Sequence, residues 1–326
     1  MTNYPYTTAL CRALGASEAV RGQVLSPLEG SWELGDKTEN KATQTFTTNS
    51  FNMQASSMKL AKSRVYIFRA KIDLFMSARQ LIPPNTKITV HLRRAFDHFS
   101  LLAPDTLADT SFKPFISLME MEMQKHKLSE SAHSHTLSQI QANAGFVFNR
   151  LETRMNSFPV GTHTWRWLNC LNGAALPNRL YVAFVSYDSL YGSLTRIPTF
   201  FTHMKLKQIN FKLNGRDLLV QPMRMTFVDN SKAGAAEGSL DSALSNTSEG
   251  YLSLVRIFGQ VEDELSPLRL SSSGYLYGRI IYGLEFGKCG VKSNESGALD
   301  IECLFDSAPM EGVCVLFTEV TKIVSL

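Results

Sequence analysis

The feature that most constrains this chain is the period of its hydrophobic residues, which is two almost everywhere and not 3.6. Residues that alternate apolar and polar place one row on each side of an extended strand, so a chain written this way folds as sheets with one buried and one wet face. Tyr66, Phe68, Ala70, Ile72 and Leu74 alternate with Arg69, Lys71 and Asp73. Ile88, Val90 and Leu92 then alternate with Lys87, Thr89, His91 and Arg93, and are expected to face inward. Pro83-Pro84-Asn85 separates the two runs as a turn, because prolines cannot continue a central ladder. Ser117, Met119, Met121 and Met123 alternate with Leu118, Glu120 and Glu122. That methionine row is expected in the core, where flexible thioethers fill irregular space.

The pattern continues to the end of the chain. Residues 180–186 form a short, nearly continuous apolar run, the signature of a strand covered on both faces. Ile209, Phe211 and Leu213 lead to Asn214-Gly215, the dipeptide best suited to a tight hairpin turn with positive φ. Strands are expected at 279–286, 299–305 and 312–324, with a Gly- and Ser-bearing loop at 292–297. Helices are few and short. One starts near Pro5 and puts Ala9, Leu10, Ala13 and Leu14 on one face; others are expected at 131–144 and 250–257. Residues 229–250, rich in Ser, Ala, Gly and Asn, read as a mobile excursion. Many short strands with long connections predict a sandwich or jelly roll.

Composition narrows the function classes. The 326 residues, 44% hydrophobic and 19% charged, provide for a real core. A formal net charge of +4 is too mild to mark a nucleic-acid binder. It is unevenly spread: residues 261–326 carry 5 basic and 10 acidic side chains, so the remainder is strongly basic, and the two ends suit different partners. The nearest approach to a nucleic-acid face is Arg64, Tyr66, Phe68 and Arg69, but alternation sends the two aromatics to the core side. Cys11, Cys170, Cys289, Cys303 and Cys314 are odd in number, without a C-x-x-C pair, and read as reduced, mostly buried thiols. No stretch reaches the roughly eighteen apolar residues of a membrane span, and the first residues lack a secretory signal, which places the chain in a reducing, soluble compartment. The sequons at Asn246 and Asn294 then read as chance matches in polar loops.

Enzyme signatures fail at full spacing: there is no G-x-x-x-x-G-K-[ST], no H-E-x-x-H and no G-x-S-x-G. Ser56-Ser57-Met58-Lys59 matches S-x-x-K without the K-T-G that should follow. His133-Ser134-His135 would share a face on a strand and offer two metal ligands, as in a cupin-like jelly-roll enzyme, but the expected neighbouring glycine and glutamate are missing. A polar surface segment is the favoured reading. His163 and His203 are isolated and read as structural.

The most distinctive segment is 175–216: Leu176-Pro177-Asn178-Arg179 opening a strand, then Val185, Asp188 and Gly192-Ser193, then Pro198, Phe200 and His203, and finally Leu213-Asn214-Gly215. It resembles the major capsid proteins, the hexon-like subunits, of Polinton/Maverick elements and adintoviruses, with Ile197 and Thr199 standing where that family has Asn and Phe. Lys71-Ile72-Asp73-Leu74-Phe75, Phe96-Asp97-His98-Phe99, Ser273-Gly274, 277–286 and 313–324 also resemble its strands, and Asn3-Tyr4-Pro5-Tyr6 resembles a motif found inside its first jelly roll.

The resemblance implies an all-β double jelly roll, with residues 1–108 an incomplete first roll and 109–326 the second. It implies a structural subunit with no catalytic residues, cofactor or metal, forming homotrimeric pseudo-hexameric capsomers in the icosahedral capsid lattice of a double-stranded DNA virus or virus-like element. Its expected location is the virion capsid, after synthesis in the host cytoplasm or nucleus. Pro177, Arg179, Asp188, Gly192, Ser193, Pro198, Phe200, His203 and Gly215 carry the family motif as structural residues. Because the register starts partway through a roll, a second polypeptide or a neighbouring subunit is expected to cover its open edge, beside contacts with other capsid proteins. The alternatives are a host-recruited jelly-roll binding module and a metal enzyme using His133 and His135.

Overall fold

The computed structural model describes residues 4–16, 87, 89–96, 99, 115–122, 127–142, 146–192, 197–225, 248–258, 268–270, 274–275, 278–291, 295–305 and 311–324. Its centre is a sandwich of two antiparallel sheets. The strands are β1 (Phe146–Phe158), β2 (Thr164–Trp167), β3 (Arg179–Ser186), β4 (Leu206–Leu213), β5 (Arg216–Asp217), β6 (Met223–Arg224), β7 (Ile281–Glu285), β8 (Leu299–Phe305) and β9 (Gly312–Val324). One sheet runs β1-β9-β3-β7; the other runs β2-β8-β4-β5, with β6 also on β4. Along the chain the strands pass repeatedly from one sheet to the other, so neighbours in sequence seldom pair. This is the jelly-roll arrangement of an all-β protein.

The two sheets differ in how they are covered. In β8, Leu299, Ile301, Cys303 and Phe305 are buried while Asp300, Glu302 and Leu304 are half-exposed, the alternation of a strand with one wet face. In β3 every residue after Arg179 is buried. Its inner face meets the second sheet, where Phe184 packs edge-on to Phe305 of β8 at a ring separation of 6.1 Å, and within its own sheet Phe184 meets Phe158 of β1 at 6.0 Å. Its outer face lies under two helices, α1 (Tyr4–Gly15) and, near the end of the connection to β7, a second named below. The apolar run at 180–186 thus forms the doubly covered strand that its composition predicts.

Helix α1 buries Tyr6, Leu10, Ala13 and Leu14, and Thr7 hydrogen-bonds Thr153 of β1 through their hydroxyls at 3.0 Å. Helix α2 (Glu130–Ala142) is polar and largely exposed. After the five-residue α3 (Tyr187–Tyr191) comes α4 (Ser248–Phe258), which lays Leu254 and Ile257 against β7. A Cβ at Gly283 of β7 would sit 2.3 Å from Ile257 Cδ1, so the missing side chain sets how closely helix and strand approach. Phe258 stacks on Tyr181 with ring centres 6.2 Å apart.

The three helices expected at the N-terminus, 131–144 and 250–257 are all present, as are the strands at 180–186, 209–213, 279–286, 299–305 and 312–324. At the predicted turn, Asn214 and Gly215 have φ of 50° and 79°, the pair of left-handed residues that a two-residue hairpin from β4 to β5 requires. Two expectations are corrected. The methionine row is not core: at 115–122 the chain lies outside any strand, with Met119 and Met121 exposed along with Phe115, Ile116 and Leu118. Val90 and Leu92 do not face inward either; both are exposed in a segment that is in no strand. Alternation prepares a strand, but burial needs a partner strand and an opposing layer, and among the described residues neither segment has them.

The strand expected at 66–74, with Arg64 and Arg69, lies outside the described residues, as do Met123, the Ser56 to Lys59 tetrapeptide and most of 229–250, whose last three residues open α4. Most of the incomplete first roll expected at 1–108 likewise lies outside them, apart from α1 and residues 87, 89–96 and 99, while the described jelly roll occupies 146–324, within the expected second unit.

Candidate functional site

The residues of the distinctive motif are distributed over both ends of the sandwich. Pro177 is buried just before β3, and Arg179 opens that strand. The opposite end of β3, about 23 Å away at the usual rise per residue, leads into the connection holding Asp188, Gly192, Pro198, Phe200 and His203. Gly215 lies in the hairpin turn after β4. Ser193 lies outside the described residues. The described positions do not converge on one pocket; they are spread along separate stretches of backbone.

Arg179 stands on the outer face of the first sheet, directly across from Glu285 of β7 and Glu319 of β9. Its guanidinium is 3.8 and 3.7 Å from their carboxylates and 5.6 Å from the Phe258 ring centre. Lys288 supplies Glu285 with a second cation at 3.0 Å. The arginine therefore ties three strands together beneath the end of α4.

In the connection after β3, the Ser186 hydroxyl caps α3 by accepting the Ser189 N–H at 3.3 Å, and the two hydroxyls share a hydrogen bond of 2.6 Å. Gly192 ends that turn with φ of 90°, a conformation open to glycine, and donates its N–H to the Ser189 carbonyl. Pro198 is buried in the next turn, which the Phe200 N–H closes onto the Ile197 carbonyl, and Phe200 is buried too. His203 accepts the Lys205 N–H on Nδ1 at 2.9 Å, holding a turn in which Met204 and Lys205 both adopt positive φ. Asp188 is exposed in the first turn of α3.

His133 and His135 sit on α2 and not on a strand. Two residues apart on a helix they point about 200° from each other, so they do not form a chelating pair. His135 instead approaches Gln139, one turn on, at 3.1 Å. His163 is exposed, and its carbonyl accepts the Phe305 N–H. Among the described residues no group of three or more His, Cys, Asp and Glu side chains is placed to hold a metal ion, and no helix is long and apolar enough to cross a membrane.

Two features escaped the reading of the sequence. On the outer face of the second sheet, Glu302 of β8 is bonded to Arg166 of β2 and, at 2.9 Å, to Lys212 of β4. Partial burial works to raise its pKa, but the hydrogen bonds and charges of the two cations prevail and hold it below the usual glutamate range. Strand β1 was also missed. Its inner row is Arg150, Glu152, Arg154, Asn156 and Phe158, so charges interrupt the apolar alternation; the signal was in the other row, Leu151, Thr153 and Met155.

This architecture defines a jelly-roll β-sandwich whose best-formed polar groups are cross-strand ties and turn caps. No known protein family and no curated protein matches the chain. Among solved structures, it is similar to the crystal structure of the major capsid protein P2 from Bacteriophage PM2, at 11% sequence identity and a TM-score of 0.26, over 55% of this chain and 46% of that one. The match thus spans less than half the length of that capsid protein.

Proposed function

We propose that this chain is a structural capsid subunit of the double-jelly-roll type, with no catalytic role, which assembles through homotrimeric capsomers into an icosahedral lattice around double-stranded DNA. The observation that carries the reading is where the capsid-like sequence motif falls. Its residues at 177–215 fall on β3, the connection to β4 and the β4–β5 turn of a jelly roll, and several of them have architectural places: Arg179 ties three strands, Gly192 and His203 form turns, and Pro198 and Phe200 are buried. A motif kept for a scaffold fits a protein whose work is to hold a shape and present surfaces for assembly. The separation of α2's histidines weighs against the metal-enzyme alternative.

Light scattering on the purified protein, with negative-stain images of the same sample, tests the proposal. Trimers of the 36.4 kDa chain, or shells built from them, are expected. A stable monomer that stays monomeric at high concentration would overturn it and favour a binding module.

A further inference from the structure

Among the described residues five strands border the two sheets, and four of them are protected. Strand β2 has four residues and β5 and β6 have two each, too short to template a partner. Strand β7 is covered by α4, whose Ser253 hydroxyl accepts the Gly283 N–H at 3.0 Å. Strand β1 has 13 residues, pairs with β9 along one side, and has no strand along the other among the described residues. Long open edges recruit strands. Its inner row adds a specific requirement: Arg150 and Arg154 bring two cations to this edge, and the Arg150 Nε is buried without a hydrogen-bond partner.

The same chain carries a segment that fits this edge. Residues 115–122, Phe-Ile-Ser-Leu-Met-Glu-Met-Glu, have the composition and alternation of a strand, yet lie outside any strand with Phe115 89% and Leu118 73% exposed. Exposing so many large apolar groups in one run is unfavourable unless something covers them.

We propose that β1 of one copy is extended by residues 115–122 of a second copy, added antiparallel as an extra strand. The register that sets Glu120 opposite Arg154 also sets Ile116 opposite the core residue Phe158 and Met119 opposite Met155, beside α1. Glu122 then falls at Glu152, flanked by the two arginines. One alignment thus serves the apolar end, the Glu120–Arg154 pair and the outer row together, against one facing pair of carboxylates, Glu122 and Glu152, that lies between the two arginines. The contact is independent of the capsid reading, since a simple dimer can use it and a shell can form without it.

The test mixes two proteins, one carrying Met119→Cys and the other Met155→Cys, under mild oxidation. Residues directly opposite in an antiparallel pair are within disulfide reach. The expected product is a dimer found only in the mixture, with peptide mapping placing the disulfide between positions 119 and 155. No such product would overturn the proposal, and so would a 119–155 disulfide formed within a single chain of the double variant, which would mean that each copy covers its own edge. Glu120→Arg, an exposed change that leaves the fold intact, should weaken self-association by roughly tenfold or more, measured by sedimentation. Unchanged association would also overturn it.

Discussion

Arg179 and Glu302 hold equivalent positions on opposite outer faces of the sandwich, each a charge bonded to two of the other sign. Arg179 lies between Glu285 and Glu319; Glu302 lies between Arg166 and Lys212. Such cross-strand pairs contribute modestly, about 0.2–1 kcal/mol each, and chiefly fix register. The glutamate makes its share dependent on pH. Its carboxyl is held below its ordinary pKa, so its contribution is full above the ordinary glutamate range and is lost as pH falls through the lowered value. Glu302→Gln is therefore expected to be less stable than the parent at pH 7, with the gap closing as the pH is lowered through the depressed pKa of the glutamate, when the two are compared by urea unfolding. A gap that persists in acid would show that the charge is not what stabilises the site. The cross-strand partners at both positions were hidden in the sequence, because Arg179 is 106 residues from Glu285 and Glu302 is 136 from Arg166.

At the scale of elements, legibility followed local periodicity. Strands β3, β8 and β9, the β4–β5 turn and helices α1, α2 and α4 all carry their pattern within a dozen residues, and all were readable. Strand β1 was not, because an edge strand can turn charges toward the sandwich rim and so breaks the apolar rhythm of its inner row. The segment at 115–122 fails in the opposite sense: it has the rhythm without the neighbours. The docking of α4 on β7 makes a testable joint. Ser253 donates to the Gly250 carbonyl at 2.6 Å and accepts the Gly283 N–H, so that a strand edge is capped by a helix side chain. Ser253→Ala leaves that buried N–H without an acceptor and is expected to cost about 1–3 kcal/mol in unfolding free energy. Hydrogen exchange at the Gly283 amide should speed up in the variant; unaltered exchange would mean that the serine is not its acceptor.

For the molecule as a whole, the thiols report how the two sheets close on each other. Cys314 of the first sheet and Cys170 and Cys303 of the second layer are all buried, and burial raises all three pKa values, that of Cys170 to about 12. Thiols so buried and protonated do not react. Under native conditions a thiol reagent is expected to leave these three unlabelled and, on adding denaturant, to modify them together at the midpoint of global unfolding. Half-buried Cys11 and Cys289 stand outside this group. Early labelling of Cys303 alone would show that the second sheet opens independently.

The sequence by itself determined that this chain is all-β, where most of its strands and helices lie, and which turn needs Asn214 and Gly215, because alternation, capping and turn geometry act over a few neighbouring residues. Only the tertiary structure decided the strand order, the covering of the first sheet by α1 and α4, the partners of Arg179 and Glu302, and the exposure of 115–122. Each of these depends on what an element meets across space, and contacts between residues a hundred positions apart leave no trace in the local pattern of either one.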